Sequence, residues 1–453
     1  MRDIIVSLLI LYLLLRTLRK VEYGAYLWTW LSLMNPHRLA FGFASTLPWA
    51  QMAALTTFVA MVFSRERKPL PLNTGVVALI LLWLWMTLTA LTSINPPEIV
   101  WERWIFVAKI NLMLLVTLML LRGRQQIDRL IWVVALSVGF FGIKGGVFTI
   151  GTGGSYRVWG PPGSMLEENN ALAVGLIIVL PFFYYLRETV KFRWLRPILL
   201  LAMLLLVASI LGSQSRGALV ALLAMSLFLG AKSKHPVRFS LASLLVLALG
   251  VLFMPDEWTA RMDTIQNHES EGSAMSRIYT WHTLWNVAVS RPLVGAGFRA
   301  DTMEIFAAFA PTDGKYDAFQ GKSWVAHSIY MQALGEHGFV GLLLFLTIWI
   351  WIWVTCSRLA KQAGKVDSLK DWAPLLLRMC QVSTIGYCVG GAFLSLMNVD
   401  LPYYILLFVT LVKCAVQDEQ RASMAKAPKP VLYEVDAGVD RGIAASVNQS
   451  PRR

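Results

Sequence analysis

The 453-residue chain is 56% hydrophobic and only 15% charged, with a mean hydropathy of +0.57. That balance excludes an ordinary soluble enzyme and points to a helical protein embedded in a bilayer. The net charge of +14, from 41 basic and 27 acidic residues, implies no nucleic-acid partner here and reads loop by loop as a signal of membrane orientation.

Taken in chain order, the first apolar run, from Ile4 to Leu15, follows Arg2 and lacks a small-residue cleavage site, so it reads as retained. Arg16, Arg19 and Lys20 interrupt it, leaving a broken span or a short re-entrant pair over the first 34 residues, counted as one crossing. Apolar stretches long enough to span follow near 39–63, 75–94, 104–121, 129–150, 168–186, 195–211, 217–230, 238–254, 338–356, 373–394 and 401–416. The loops around Arg65–Lys68, Arg122–Arg129, Arg187–Arg196, Lys232–Arg238 and Arg358–Lys370, with the tail from Lys413, hold over half of the basic residues and should be cytoplasmic. Parity then gives an all-α polytopic membrane protein of about twelve transmembrane helices with both termini cytoplasmic. Cys356, Cys380, Cys388 and Cys414 sit in or beside the late spans without metal-type spacing and read as packing residues.

One outer loop is large: Pro255 to Ala326, with nine acids and six bases. Within it, Met275, Ile278, Trp281 or His282, and Trp285 recur at helical spacing before Arg291-Pro292, which predicts an amphipathic helix over 274–290 lying at the membrane surface. The tail from Gln417 to Arg453 shows no apolar periodicity and reads as disordered. No repeat of 20–50 residues is visible, which disfavours transporters built from duplicated halves.

Nucleotide-binding loops and metal-ligand motifs are absent from the sequence. What remains are polar groups that parity gathers on the outer face. Ser215 and Arg216 open a helix at the hairpin tip 212–217, where free N–H groups and a guanidinium suit a phosphate, although an arginine there also snorkels to headgroups. Arg277 lies on the expected surface helix beside Trp281 and Trp285; the alternative is a solvated side chain. His327 stands where the chain re-enters the membrane, followed by Tyr330 and, ten residues on, by His337. A histidine at such a boundary can meet water-borne and lipid-borne substrates. Lys109 and Lys144 lie a turn or two inside the membrane and either snorkel or bind an anion. In the loop 156–170, Arg157, Glu168 and Asn170, with Tyr156 and Trp159, suit sugar recognition or an interfacial belt equally.

Ser215-Arg216-Gly217-Ala218-Leu219, Arg277 followed by Trp281, Ser290-Arg291-Pro292-Leu293-Val294-Gly295-Ala296-Gly297-Phe298, and His327-Ser328 with Gly338 eleven residues on together resemble the O-antigen ligase family in order and spacing. The segment Trp28 to Leu39 resembles the branch of exosortase A-associated O-glycosylation ligases. The implied organisation is an N-terminal transmembrane region of that branch at 1–128, a ligase-like region at 129–416 with its periplasmic loop at 255–326, and a tail at 417–453. The resemblance implies an inverting glycosyl transfer on the periplasmic face of the bacterial inner membrane. The donor would be an undecaprenyl diphosphate-linked glycan, and the acceptor a hydroxyl of the lipid A core, of another lipid-linked glycan or of a protein Ser or Thr.

Carried over, Arg216 and Arg277 would grip the diphosphate and His327 would orient or deprotonate the acceptor. Ser215, Lys144 and Lys109 are further donor-binding candidates, and Arg157, Glu168, Asn170 and Tyr330 are candidate acceptor or sugar contacts. No cofactor and no metal is expected, since the leaving group already carries two phosphates that guanidinium groups can stabilise. Two alternatives stand beside ligation: a polymerase using the same donor, and a lipid-linked glycan transporter without chemistry.

Overall fold

The structure, a computed structural model, describes residues 1–40, 42–65, 67–232, 272–312 and 314–426, with isolated positions between 237 and 255. The expected span at 238–254, apart from such positions, the start of the large loop at 256–271 and the tail from 427 lie outside the described residues. Among the described residues every regular element is helical. The chain runs through α1 (Arg2–Arg19), α2 (Glu22–Met34), α3 (Trp49–Phe63), α4 (Thr74–Leu91), α5 (Pro97–Leu120), α6 (Arg124–Gly151) and α7 (Asn169–Thr189). It continues through α8 (Leu195–Gly212), α9 (Arg216–Lys232), α10 (Gly272–Ser290), α11 (Met303–Phe309), α12 (Ile329–Ala363), α13 (Ala373–Gly390) and α14 (Asp400–Lys426). Seven of these, α4 to α8, α12 and α14, are long and apolar enough to cross a membrane, and α3 and α9 are shorter apolar helices.

Burial ranks the helices. Helix α7 is apolar all round and carries the most buried span, with α14 next, the pattern of helices enclosed by others. Helix α13 crosses α7 antiparallel, with Gly386 against Ile177, Gly390 against Val174 and Ser383 Oγ donating to the Ile178 carbonyl at 2.8 Å. Helices α6 and α8 approach closely at Gly146, where any Cβ would collide with the Leu205 carbonyl, the usual reason for small residues between packed membrane helices. Helix α4 starts where Asn73 accepts the Gly75 and Val76 N–H groups, a side-chain N-cap, and runs antiparallel to α12 from Gly75 against Trp351 to Thr89 against His337.

The opening segment departs from the single crossing expected. Lys20 ends α1 in an extended conformation, and α2 returns against it, with Ile10, Leu14, Leu27 and Leu31 sharing one apolar cluster. At the turn, Arg129 pairs with Glu22 at 2.9 Å. At the far end, Asp3 accepts the Gly42 and Ala44 N–H groups, and Arg38 donates to the Gly163 carbonyl. The start of α1 therefore lies at the end of the bundle that carries Gly163, while α14, which begins there with Asp400 bonded to Ser32, finishes at the opposite end. Within the described residues the first 34 residues thus run along the bundle and back, where a single pass was expected. Arg2→Cys and Thr46→Cys are expected to react with an impermeant maleimide from the same side of a sealed vesicle, and Lys365→Cys from the other. Labelling of Arg2→Cys and Lys365→Cys together would contradict this arrangement.

The expected disordered tail also begins too early. Helix α14 continues through Gln417 to Lys426, because the run Asp418-Glu419-Gln420-Arg421-Ala422 consists largely of good helix formers that extend an existing helix.

Helix α12 is broken once. Gly338 has φ 68°, and the segment after α10 docks onto the break: Ala296 N–H donates to the Gly335 carbonyl at 2.8 Å, Gly297 N–H to Glu336 at 2.9 Å, and Phe339 N–H to Pro292 at 2.8 Å. Backbone groups that lose intrahelical partners are thereby satisfied. A Cβ at Gly338 would strike the Leu293 carbonyl, and positive φ adds strain of about 1–3 kcal/mol for other residues. Gly338→Ala is expected to lower the melting temperature in detergent clearly and reduce the monodisperse fraction on gel filtration. A variant indistinguishable from wild type would show that the docking does not hold the break.

Candidate functional site

The described part of the large loop is folded around an aromatic cluster. Tyr279 has Tyr316, Phe319 and Trp324 within 5.5–5.9 Å between ring centroids, and Phe306 packs beside them. The buried residues of α10 are Tyr279, Thr280, Thr283, Leu284, Val287 and Ala288; of the apolar residues expected at helical spacing, Met275 and Ile278 pack half-buried against the aromatic cluster and Trp281 is half-buried, while His282 and Trp285 are exposed. Trp285 is 51% exposed and touches Phe339 edge-on. The helix therefore does more than lie at a surface: Leu284 packs on Gly335 and fixes α10 to the outer half of α12.

This docking brings two predicted site residues together. Trp281 Nε1 donates to the Ala326 carbonyl at 2.8 Å, and one turn earlier on α10 the charge of Arg277 reaches the His327 ring. His327 has φ 45°, its N–H donates to Ser395 Oγ at 2.9 Å, and the next residue, Ser328, caps α12 by accepting the Met331 N–H. Burial first, and the Arg277 cation second, lower the His327 pKa to about 4. At neutral pH its imidazole is uncharged and can accept a proton.

Arg216 arrives by another route. Its hairpin is pinned by Asn169 Nδ2 donating to the Ser213 carbonyl at 2.7 Å, and Gly217 lies against Phe393. Phe393 is two residues before Ser395, and Gly391 of the same turn packs on Ile329. The segment 391–395 thus joins the start of α9 to the start of α12. Ser215 is 3% exposed, and its hydroxyl accepts the Ala218 N–H, so it shapes the helix start instead of facing an open ligand.

The secondary candidates divide. Arg157 joins the Arg216 hairpin, its Nε donating to Gln214 Oε1 at 3.2 Å. Lys109 and Lys144 do not come to the site: they are exposed, the first beside Ile105 and Leu112, the second beside Phe140 and Phe148, faces suited to lipid. Glu168 is exposed without a capping bond. Asn170 is half-buried, and its neighbour Asn169 makes the contact with the hairpin. The Tyr330 hydroxyl is engaged by the Cys388 carbonyl at 2.9 Å. His337 is fully buried, its Nδ1 2.7 Å from Thr89 Oγ1 and its ring edge-on to Phe298.

A cavity of about 310 Å³ is lined by Ala326, which precedes His327, by Ser395, which accepts the His327 N–H, and by Arg103, Gln332 and Glu336. None of the last three was singled out from the sequence. Arg103 was placed at the edge of a loop because 95–102 lacks an apolar run, whereas α5 begins at Pro97. Glu336 was available as a signal, since an acid four residues after Gln332 in a membrane-entering helix is costly without a purpose.

Residues 201–346 match the O-antigen ligase family (Wzy_C), and this stretch contains Arg216, Arg277 and His327. Over that stretch the chain is similar to O-antigen ligases. Residues 1–191 match a family of unknown function (DUF5935), and no curated protein matches the chain. The O-antigen ligase match ends within α12, eight residues past the break at Gly338, so it includes the docked segment 291–297. The glycines of that segment have a structural reason: at Gly295 and Gly297, both with positive φ, a Cβ would meet Gly335 and Ser93 respectively.

Proposed function

We propose that the protein transfers a glycan from an undecaprenyl diphosphate-linked donor to an acceptor hydroxyl, of the lipid A core or of a protein Ser or Thr, at the periplasmic face of the inner membrane. The observation that carries this reading is the bond from Trp281 to the Ala326 carbonyl, which brings the helix of Arg277 to the turn of His327, inside the segment matching the O-antigen ligases. The likeness of the N-terminal region to exosortase A-associated O-glycosylation ligases belongs to the same reading.

In the reaction, His327 takes the proton of the acceptor hydroxyl as its oxygen bonds to the anomeric carbon from the face opposite the diphosphate, which inverts the configuration. The bond from that carbon to the diphosphate oxygen breaks, and its electron pair leaves with the diphosphate. Arg277 and Arg216 stabilise the growing negative charge, most effectively through bidentate guanidinium contacts. These groups gather at one end of the bundle, which favours chemistry there over transport with access from both ends.

The test is reconstitution of purified protein in nanodiscs with lipid-linked donor and separate acceptors, following release of undecaprenyl diphosphate and glycan transfer. Transfer to lipid A core or protein is expected, at an unchanged rate in excess EDTA. Loss of activity restored by magnesium would overturn the metal-independent mechanism, and transfer only onto a second lipid-linked glycan would make the protein a polymerase.

A further inference from the structure

The cavity beside the turn of His327 has a mixed lining. Leu284, Ala300, Val325 and Ala326 contribute apolar lining, and Arg103, Arg299, Asp301 and Glu336 contribute charged groups. Two cations accompany two carboxylates, with Arg299 held to Asp301 by bonds of 2.9 and 3.3 Å, so the cavity has no net charge for a diphosphate. Glu336 is only 7% exposed, yet among the described residues its oxygens receive long bonds, from Gln332 at 3.4 and 3.5 Å and from Asn398 at 3.3 Å, with His337 Nε2 at 3.7 Å. A carboxylate has about four acceptor sites, so this one retains capacity for ligand hydroxyls.

A lining that mixes apolar side chains with carboxylate, amide and guanidinium groups suits a sugar ring, which has a C–H face and a hydroxylated edge. A Ser or Thr side chain brings a single hydroxyl and would leave most of these polar groups unsatisfied. The volume is at the low end of ligand pockets, roughly 300–1,000 Å³, and suits one sugar unit. Because the Ala326–Ser328 turn borders the cavity, a hydroxyl of that sugar can reach His327.

We propose that this cavity is the acceptor subsite and takes a sugar ring of a core glycolipid, Glu336 and Arg103 holding its hydroxyls; this rests on the transferase reading above. The direct test uses the full chain with His327→Ala in nanodiscs and a fluorophore-labelled lipid A–core glycolipid as probe. Adding Glu336→Gln or Arg103→Gln is expected to weaken glycolipid binding at least tenfold and leave undecaprenyl diphosphate binding unchanged, with Glu336→Asp retaining part of the affinity. Val325→Trp, which fills the cavity from its 39%-exposed wall without touching the buried charges, is expected to act likewise.

In the otherwise unaltered enzyme, Glu336→Gln should raise the acceptor KM and not the donor KM. Unchanged glycolipid binding, equal loss of both ligands, or competition by a serine peptide that ignores Val325→Trp would overturn the proposal. Glycolipid binding that these variants weaken, in a wild-type protein that transfers no glycan, would instead remove the transferase reading and leave the sugar subsite.

Discussion

His327→Ala is expected to reduce transfer by about 10²–10⁴-fold, the usual loss when a general base is removed, while undecaprenyl diphosphate still binds through the arginines. The electrostatics allow a sharper check. His327 has its pKa lowered to about 4 by burial and by Arg277, so the neutral, proton-accepting form persists well below the ordinary histidine value. Protonation abolishes the base, so kcat/KM should be full above that pKa and fall as pH drops through about 4, not through 6.5. Arg277→Ala removes the second cause but not burial, and should move the acidic limb upward only in part. His337→Ala leaves the limb where it is and costs packing, because that ring is enclosed by Thr89 and Phe298. A folded His327→Ala enzyme with normal transfer would end the assignment, as would an acidic limb unmoved by Arg277→Ala in a variant that still turns over.

Arg277→Ala is expected to lower turnover by about 10²–10³-fold, the scale on which a preorganised charge at a departing anion acts. Arg216→Ala should cost at least about 10²-fold for the same reason. Lysine at either position restores part of the rate, since a point charge replaces a planar fork. Arg277 has a second duty, holding the charge environment of His327, so Arg277→Lys should keep the acidic limb near its wild-type position while remaining slow. Equal rates for wild type and either well-folded alanine variant would remove that arginine from the site.

Much of the fold was legible because long apolar runs between basic loops carry a strong signal, and the helices from α4 to α8 begin and end within a few residues of where hydropathy placed them, α5 excepted. The signal failed where apolarity alone was followed. Arg16, Arg19 and Lys20 left a broken span and a re-entrant pair both open, and the count of one crossing missed the reversal, because a turn made of charged residues looks like a blemish in one helix. On α10 the buried face contains Tyr279, Thr280 and Thr283, polar types that pack inside a folded loop and that no apolar count selects. Arg216, Arg277 and His327 stood out as polar residues at helix starts or on the outer loop. Glu336 and Arg103 escaped because each lies within a helix whose boundary was drawn too late, so a pair lining one cavity looked like two unrelated charges.

The interruption at Gly338 divides allegiance within α12. Its first nine residues are clamped to α10 and the 291–297 segment, while the remainder packs along α4 as an ordinary bilayer-crossing rod. The turn of His327 is held ahead of the break by Trp281 of α10 and by Ser395, and tilting of the long rod need not alter its spacing from Arg277. Under the proposed function the two groups would be indexed to one another and not to the long rod, so that a thick or thin bilayer would carry the same geometry.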